Sequence, residues 1–238
     1  MLFHGGINNC GAPNYQPALP MTAMPSQAQT IVSTLAPIQA AGASPWLPPI
    51  EGGLDFATAL EVQFPAHEVI VVMPVDSQQS FCIASVSNEI VPEVAGGLTA
   101  GVKTYVIGIN QAPMGQLDPI ATAGGTGAAI DLTGNQLGQL SSNLSAIRDA
   151  EIPCTIPMPT PTTGSYAPDD VAFRYGPGGG MAVDVPRVTN SNACIGGAEG
   201  WYVDDPNNPT QIGLCPKTCG AIKVDTAPVL EVAFTCLQ

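Results

Sequence analysis

His67-Glu-Val-Ile-Val-Val-Met-Pro-Val-Asp76 decides the fold. Five apolar residues run without a break from Val69 to Met73. A strand with one wet face alternates apolar and polar side chains, whereas an unbroken Val/Ile run is the pattern of a strand covered on both faces. The run ends in the carboxylate of Asp76 and a polar loop, Ser77-Gln-Gln-Ser80. In open α/β sheets, ligands sit beyond the carboxyl ends of the strands. Asp76 is therefore the first candidate site residue.

The flanking sequence extends this reading in both directions. Upstream, Gly5 to Met24 reads as loop, and Pro25 and Ser26 open a helix with Ile31, Leu35 and Ile38 on one face. A loop from Ala43 to Pro49, around Ser44-Pro45-Trp46, leads into a second helix from Ile50 to Phe64, with Leu54, Ala57 and Leu60 inward. Downstream, Val86, Ile90, Val94 and Leu98 repeat every four residues as a helix that Pro92 is placed to bend. A strand follows from Val102 to Ile109, then a helix from Met114 to Ala123, a Gly-rich turn and a short strand from Ala128 to Leu132. Asn135 to Ala150 is expected to be a helix with Leu137, Leu140, Leu144 and Ile147 inward. Strands alternating with helices mean a mostly parallel sheet flanked by helices, an α/β fold.

At Glu151 the texture changes. Proline recurs at 153, 157, 159 and 161, and short β-like pieces follow at 171–175, 181–185, 200–203, 212–214 and 229–234. The only helical hint lies near Thr218 to Val224. The chain divides on this reading into an α/β domain, residues 1–153, and a Cys-rich, β-rich extension, residues 154–238.

Composition narrows the function classes. Six Lys and Arg face 19 Asp and Glu, a formal net charge of −13. Binding nucleic acid needs a basic footprint, so that partner is excluded, and an anionic membrane surface is disfavoured on the same ground. No run of apolar residues is long enough to span a bilayer. Seven cysteines with only two histidines fit disulfides better than zinc, and Cys215-Pro-Lys-Thr-Cys219 has no second pair at zinc-site spacing. The expected location is secreted, periplasmic or on the outer cell surface. Met1-Leu-Phe-His-Gly-Gly6 does not read as a signal peptide, so the chain is expected to begin partway into a longer protein.

Several of these residues together carry a family resemblance. Val69 to Asp76 and Val102-Lys-Thr-Tyr-Val-Ile-Gly-Ile109 resemble the central strands of a von Willebrand factor type A domain, a Rossmann-like fold, and Leu117-Asp-Pro-Ile-Ala-Thr-Ala-Gly-Gly-Thr126 is similar to the stretch before its last strand. Gly200-Trp-Tyr-Val-Asp-Asp-Pro206, Leu214-Cys-Pro-Lys-Thr-Cys219 and Val232-Ala-Phe-Thr-Cys236 are similar to the C-terminal extension on secreted type A domain proteins of myxobacteria and their relatives. The resemblance makes 67–76 the family's fourth strand and leaves the first strand missing. It implies a non-catalytic adhesion module that binds a protein or cell-surface ligand, or else a structural envelope component with no site. It also implies a metal-ion-dependent adhesion site for Mg²⁺, of which Asp76 and Ser44 are the surviving parts; the Asp-x-Ser-x-Ser part is absent. The loops of this fold would bring Cys10 and Cys82 to one rim as a disulfide. Cys154 with Cys236 would clip the extension closed, and Cys194 would pair with Cys215 or Cys219.

Other motifs yield bland readings. Gly124-Gly-Thr-Gly127 follows a helix and opens a strand, the reverse of a dinucleotide loop, so it is a turn. His67 precedes the strand at its amino end, away from Asp76, and no nucleophile–base–acid set is visible, so the chain is not expected to be an enzyme. Asp204-Asp-Pro-Asn-Asn208 is oxygen-rich but lacks the Gly and bidentate Glu of a calcium loop, and reads as a turn. Trp46 is either an exposed rim aromatic or a packed loop residue.

Overall fold

In the computed structural model the Val/Ile run folds as β1 (Ile70–Val75), followed by β2 (Lys103–Asn110) and β3 (Ile130–Thr133). The three strands form one parallel sheet in the order β1-β2-β3, with Met73 opposite Val106 and Ile109 opposite Leu132. The structure describes residues 10–15, 19, 27–37, 44–64, 67–160, 168–225 and 227–234. It divides into two compact units, residues 1–144 and 145–238. The sequence boundary at 153/154 falls just past the helix that crosses this division.

The first unit holds α1 (Ala28–Leu35), α2 (Leu47–Gln63), α3 (Val91–Thr99) and α4 (Met114–Ala123). Its core joins Ile50 and Leu54 of α2, Ile90 and Val94, Val106 of β2, and Leu117 and Ile120 of α4. Gly108 of β2 lets α4 approach the strand: a Cβ there would lie 3.3 Å from Leu117 Cδ1 and 2.2 Å from Met114 Sδ. The sequence places α2 from Ile50, yet the helix starts at Leu47. Pro48 and Pro49 fit its first turn, where backbone N–H groups have no helical partner to lose. α3 is preceded by a π-helical turn, Val86–Ile90. Pro92 cannot donate to the carbonyl four residues back, and the wide turn ahead of it absorbs the mismatch.

Burial departs from the apolar patterns of the sequence at four places. β1 is half-buried rather than enclosed, with Val75 alone buried, and it is an edge strand, hydrogen-bonded among the described residues only on its β2 side. None of the α1 residues is buried, and Ile38 lies outside the described residues. Leu98 is 37% exposed. Leu137 and Leu144 are exposed, and of the four expected inward residues only Ile147 is buried. Residues 137–139 form a 3₁₀ turn before α5 (Leu140–Glu151), and its tighter winding rotates Leu137 off the helix face.

The second unit contains two antiparallel three-stranded sheets. One has the order β4-β8-β7 (Thr155–Pro157, Gln211–Leu214, Trp201–Val203), the other β6-β5-β9 (Val183–Asp184, Val171–Gly176, Val229–Phe234). α6 (Pro216–Val224) packs Cys219 and Ile222 into a core with Phe173, Trp201, Ile212 and Leu214. Trp201 Nε1–H donates to the Val185 carbonyl at 2.9 Å, and the Arg187 guanidinium lies 5.3 Å from its ring centroid. Thr218, also buried, accepts the Gly200 N–H on its hydroxyl at 2.8 Å.

Disulfides join Cys10 to Cys82, Cys194 to Cys215 and Cys154 to Cys219. The expected Cys154–Cys236 clip is therefore wrong. The Leu214 N–H donates to the Cys154 carbonyl at 2.8 Å, so the β4–β8 pairing brings Cys154 to the start of α6, where Cys219 faces the core. Cys236 lies outside the described residues.

Candidate functional site

The carboxyl ends of β1, β2 and β3 form a polar edge built by the loops that follow them. Asp76 leaves β1 exposed, and its carbonyl accepts the Gln111 N–H at 3.3 Å, which ties the loop after β1 to the loop after β2. Asn110 ends β2 in the left-handed region, φ 55°, a conformation that Asn tolerates better than most residues. Beside it, Asp131 accepts from the hydroxyl and then the N–H of Thr133, and these bonds hold its carboxyl below the usual range.

Ser44 enters this edge from the loop before α2. Its N–H donates to Ser80 Oγ at 2.9 Å, and its carbonyl accepts the Ser80 N–H at 3.3 Å. Ser77 stands between the two candidate ligands, with its hydroxyl 3.2 Å from Ser44 Oγ and 3.0 Å from Asp76 Oδ1. A hydroxyl has one proton. Both Ser44 Oγ and Asp76 Oδ1 are acceptors for it, and the charge-assisted bond to the carboxylate is its stronger use. Ser44 and Asp76 are thus brought together through a residue that the sequence reading placed only in a polar loop. The Asp76-Ser-x-x-Ser80 spacing was the available signal, since it puts hydroxyls on both arms of the loop.

Around Asp76 this edge supplies one carboxylate and the hydroxyls of Ser44, Ser77 and Ser80. Among the described residues no group of three or more His, Cys, Asp or Glu is placed to hold a metal ion. Mg²⁺ requires near-octahedral oxygen ligation, and Asp76 with Ser44 provides two such ligands, both within hydrogen-bond distance of Ser77. Glu51 feels the like charges of Glu93, Asp55 and Glu89. Burial first, and then these neighbours, push the Glu51 carboxyl above its ordinary value.

The loop after β1 is latched from within. The Gln79 carboxamide donates to the Ala84 carbonyl and accepts the Ala84 N–H, both at 3.0 Å. Cys82 sits inside this latch at φ 47° and is joined to Cys10. The Cys10–Tyr15 segment packs on α2 at Gly52, where a Cβ would meet the Tyr15 carbonyl oxygen at 2.6 Å. Beside the latched loop a cavity of about 710 Å³ opens between the π-turn ahead of α3 and the first turns of α4.

The remaining motifs resolve as structural. Trp46 is buried, 2% exposed, with no hydrogen-bond partner for its Nε1 among the described residues. Gly125 and Gly127 adopt positive φ in the turn after α4, and Thr126 Oγ1 donates to the Thr104 carbonyl at 2.9 Å. His67 lies exposed, its ring 5.8 Å from that of Phe64. Asp204 accepts from the Thr210 hydroxyl and from the N–H groups of Gln211 and Thr210, so its lone pairs turn inward to staple the β7–β8 loop. The Thr210 hydroxyl and then the Gln211 N–H hold its carboxyl far below the usual value of 3.8.

That staple has a pH signature. A carboxyl depressed in the folded state adds stability above its unfolded value and loses it as pH falls through the folded one. Asp225 is lowered too, by the N–H groups of Ala227 and Gly178 and by the Tyr175 hydroxyl. The second unit should therefore lose stability progressively below about pH 4. In Asp204→Ala, urea midpoints are expected to fall at neutral pH, and the deficit against the parent should shrink as the buffer is acidified below this value. A deficit independent of pH would refute the ionised staple.

No helix of the described residues is long and apolar enough to cross a membrane. Comparison with protein-family models and with curated proteins returns no match.

Proposed function

We propose that the chain is a non-catalytic binding module of the von Willebrand factor type A kind, working outside the cytoplasm, whose ligand edge is the carboxyl end of the β1-β2-β3 sheet. The observation that carries this reading is the convergence of Ser44, Ser77 and Asp76 at that edge. Ser44 and Asp76 are the positions where the family resemblance puts an adhesion-site hydroxyl and carboxylate, and Ser77 joins them. Three disulfides support an oxidising compartment. The partner is a protein or cell-surface ligand.

The metal part of the site is degenerate on this reading, since the Ser77 bridge stands where further ligands would be needed. Titration calorimetry with Mg²⁺ is expected to give the same trace for the parent chain and for Asp76→Ala. A saturable heat lost in Asp76→Ala would overturn the metal-free version. The binding role is tested separately. Beads coated with the chain should be retained on bacterial envelope fractions, resist chelator and be displaced by soluble chain. Retention no greater than that of bare beads would sink the binding role in favour of a structural envelope component.

A further inference from the structure

The cavity beside the latched loop differs in chemistry from the rest of this acidic chain. None of its lining residues is ionisable, although the chain carries 25 Asp, Glu, Lys and Arg in all. None is aromatic. Gln78 stands on the loop after β1 and Gln116 on the first turn of α4; neither carboxamide hydrogen-bonds to another described residue. Ser87 adds a hydroxyl from the π-turn. The half-buried Val86 and Val91 form an aliphatic floor, with the exposed Pro119 and Ile83, the latter 74% exposed, at the rim.

We infer that this cavity is where the module takes its ligand, and that the ligand is an uncharged, extended peptide segment bearing aliphatic side chains. This rests on the binding role proposed above and names the ligand for it. A volume of about 710 Å³ is that of a ligand cleft. A carboxamide offers both a donor and an acceptor, which is what each peptide unit of an extended chain requires. Two free carboxamides on opposite walls can pair with successive peptide groups while the floor takes an aliphatic side chain. No lining residue offers a counter-charge to a charged ligand. The overall negative charge further repels anions. Without an aromatic platform, ligands held by ring stacking lose their usual anchor.

The latch keeps the cavity's shape. Gln79 and Ala84 both line it, and their mutual hydrogen bonds, with the Cys10–Cys82 disulfide at the loop's tip, fix the wall that carries Gln78 and Ile83. Ligand binding thus spends little on ordering that wall.

The test is selection of a phage-displayed library of linear peptides on the full chain, with the double variant Gln78→Ala/Gln116→Ala as the counter-target. Both substitutions lie on exposed positions, and circular dichroism of the double variant confirms its fold. Enriched peptides are expected to be uncharged and aliphatic, and to bind the double variant at least about tenfold more weakly. In nuclear magnetic resonance spectra their binding should shift the side-chain amides of Gln78 and Gln116 and the backbone amide of Ser87. Enrichment of charged or aromatic peptides, shifts elsewhere, equal binding to the double variant, or no enrichment would overturn the inference. Beads retained on envelope fractions without peptide enrichment would leave the binding role standing and remove the peptide ligand alone. Failure of both would remove both.

Discussion

Replacing both members of one disulfide, Cys154→Ala with Cys219→Ala, is expected to cost the second unit about 4 kcal/mol, close to all it can spare. The two residues are separated by 65 positions. Cross-linking a loop of that size removes about this much chain entropy from the unfolded state. The site adds a packing loss, because Cys219 is 1% exposed and sits against Phe173 and Trp201 in the core. The bond also joins β4 to α6, so its loss frees the element that holds Ile222 in the same cluster. Urea unfolding followed by tryptophan fluorescence reads the result for each unit on its own. The two tryptophans fall one in each unit, Trp46 in residues 1–144 and Trp201 in residues 145–238. In a Trp46→Phe background the Trp201 transition should move to much lower urea. An unmoved transition would mean that the second unit stands on its core without this bond.

How much of this was legible in the sequence follows from the range over which each feature is decided. β1, β2 and α4 appear close to where the residues place them, because an apolar run or a four-residue repeat is a local signal. The pieces read at 171–175, 200–203 and 229–234 also fold as strands. The spacing of Leu137, Leu140 and Leu144 shows which residues share a helix face, but not whether another element covers that face. The Cys154–Cys219 pairing depends on the β4–β8 register, which no local pattern encodes. At the candidate site, Asp76 could be found from the end of its strand and Ser44 only through a family resemblance. Ser77, which joins them, had only the Asp76-Ser-x-x-Ser80 spacing to mark it, a signal that does not show which of the two serines meets Asp76. The cavity lay beyond sequence reading altogether, since its walls come from a latched loop, a π-turn and a helix that meet only in the fold.

In the first unit the largest effect is expected at Leu117. Its side chain is fully buried and lies over the bare backbone of Gly108, where even a single Cβ would sit 3.3 Å away. Truncating a buried leucine costs the transfer of its methyl groups plus the cavity left behind, about 2 to 5 kcal/mol, and more where the surroundings cannot collapse. Gly108 belongs to β2, which pairs with β1 on one side and β3 on the other, and it has no side chain to lean into the space. Leu117→Ala should therefore fall in the upper half of that range. Unfolding read from Trp46 in a Trp201→Phe background measures it. Gln116 lies next in sequence on α4 and carries one of the two carboxamides assigned to the peptide. If α4 shifts toward β2 to fill the void, peptide affinity should fall together with stability. Affinity lost with no change in stability would mean that α4 acts on the cavity without being anchored by this contact. Stability lost with affinity intact would mean that the wall bearing Gln78 holds the ligand alone.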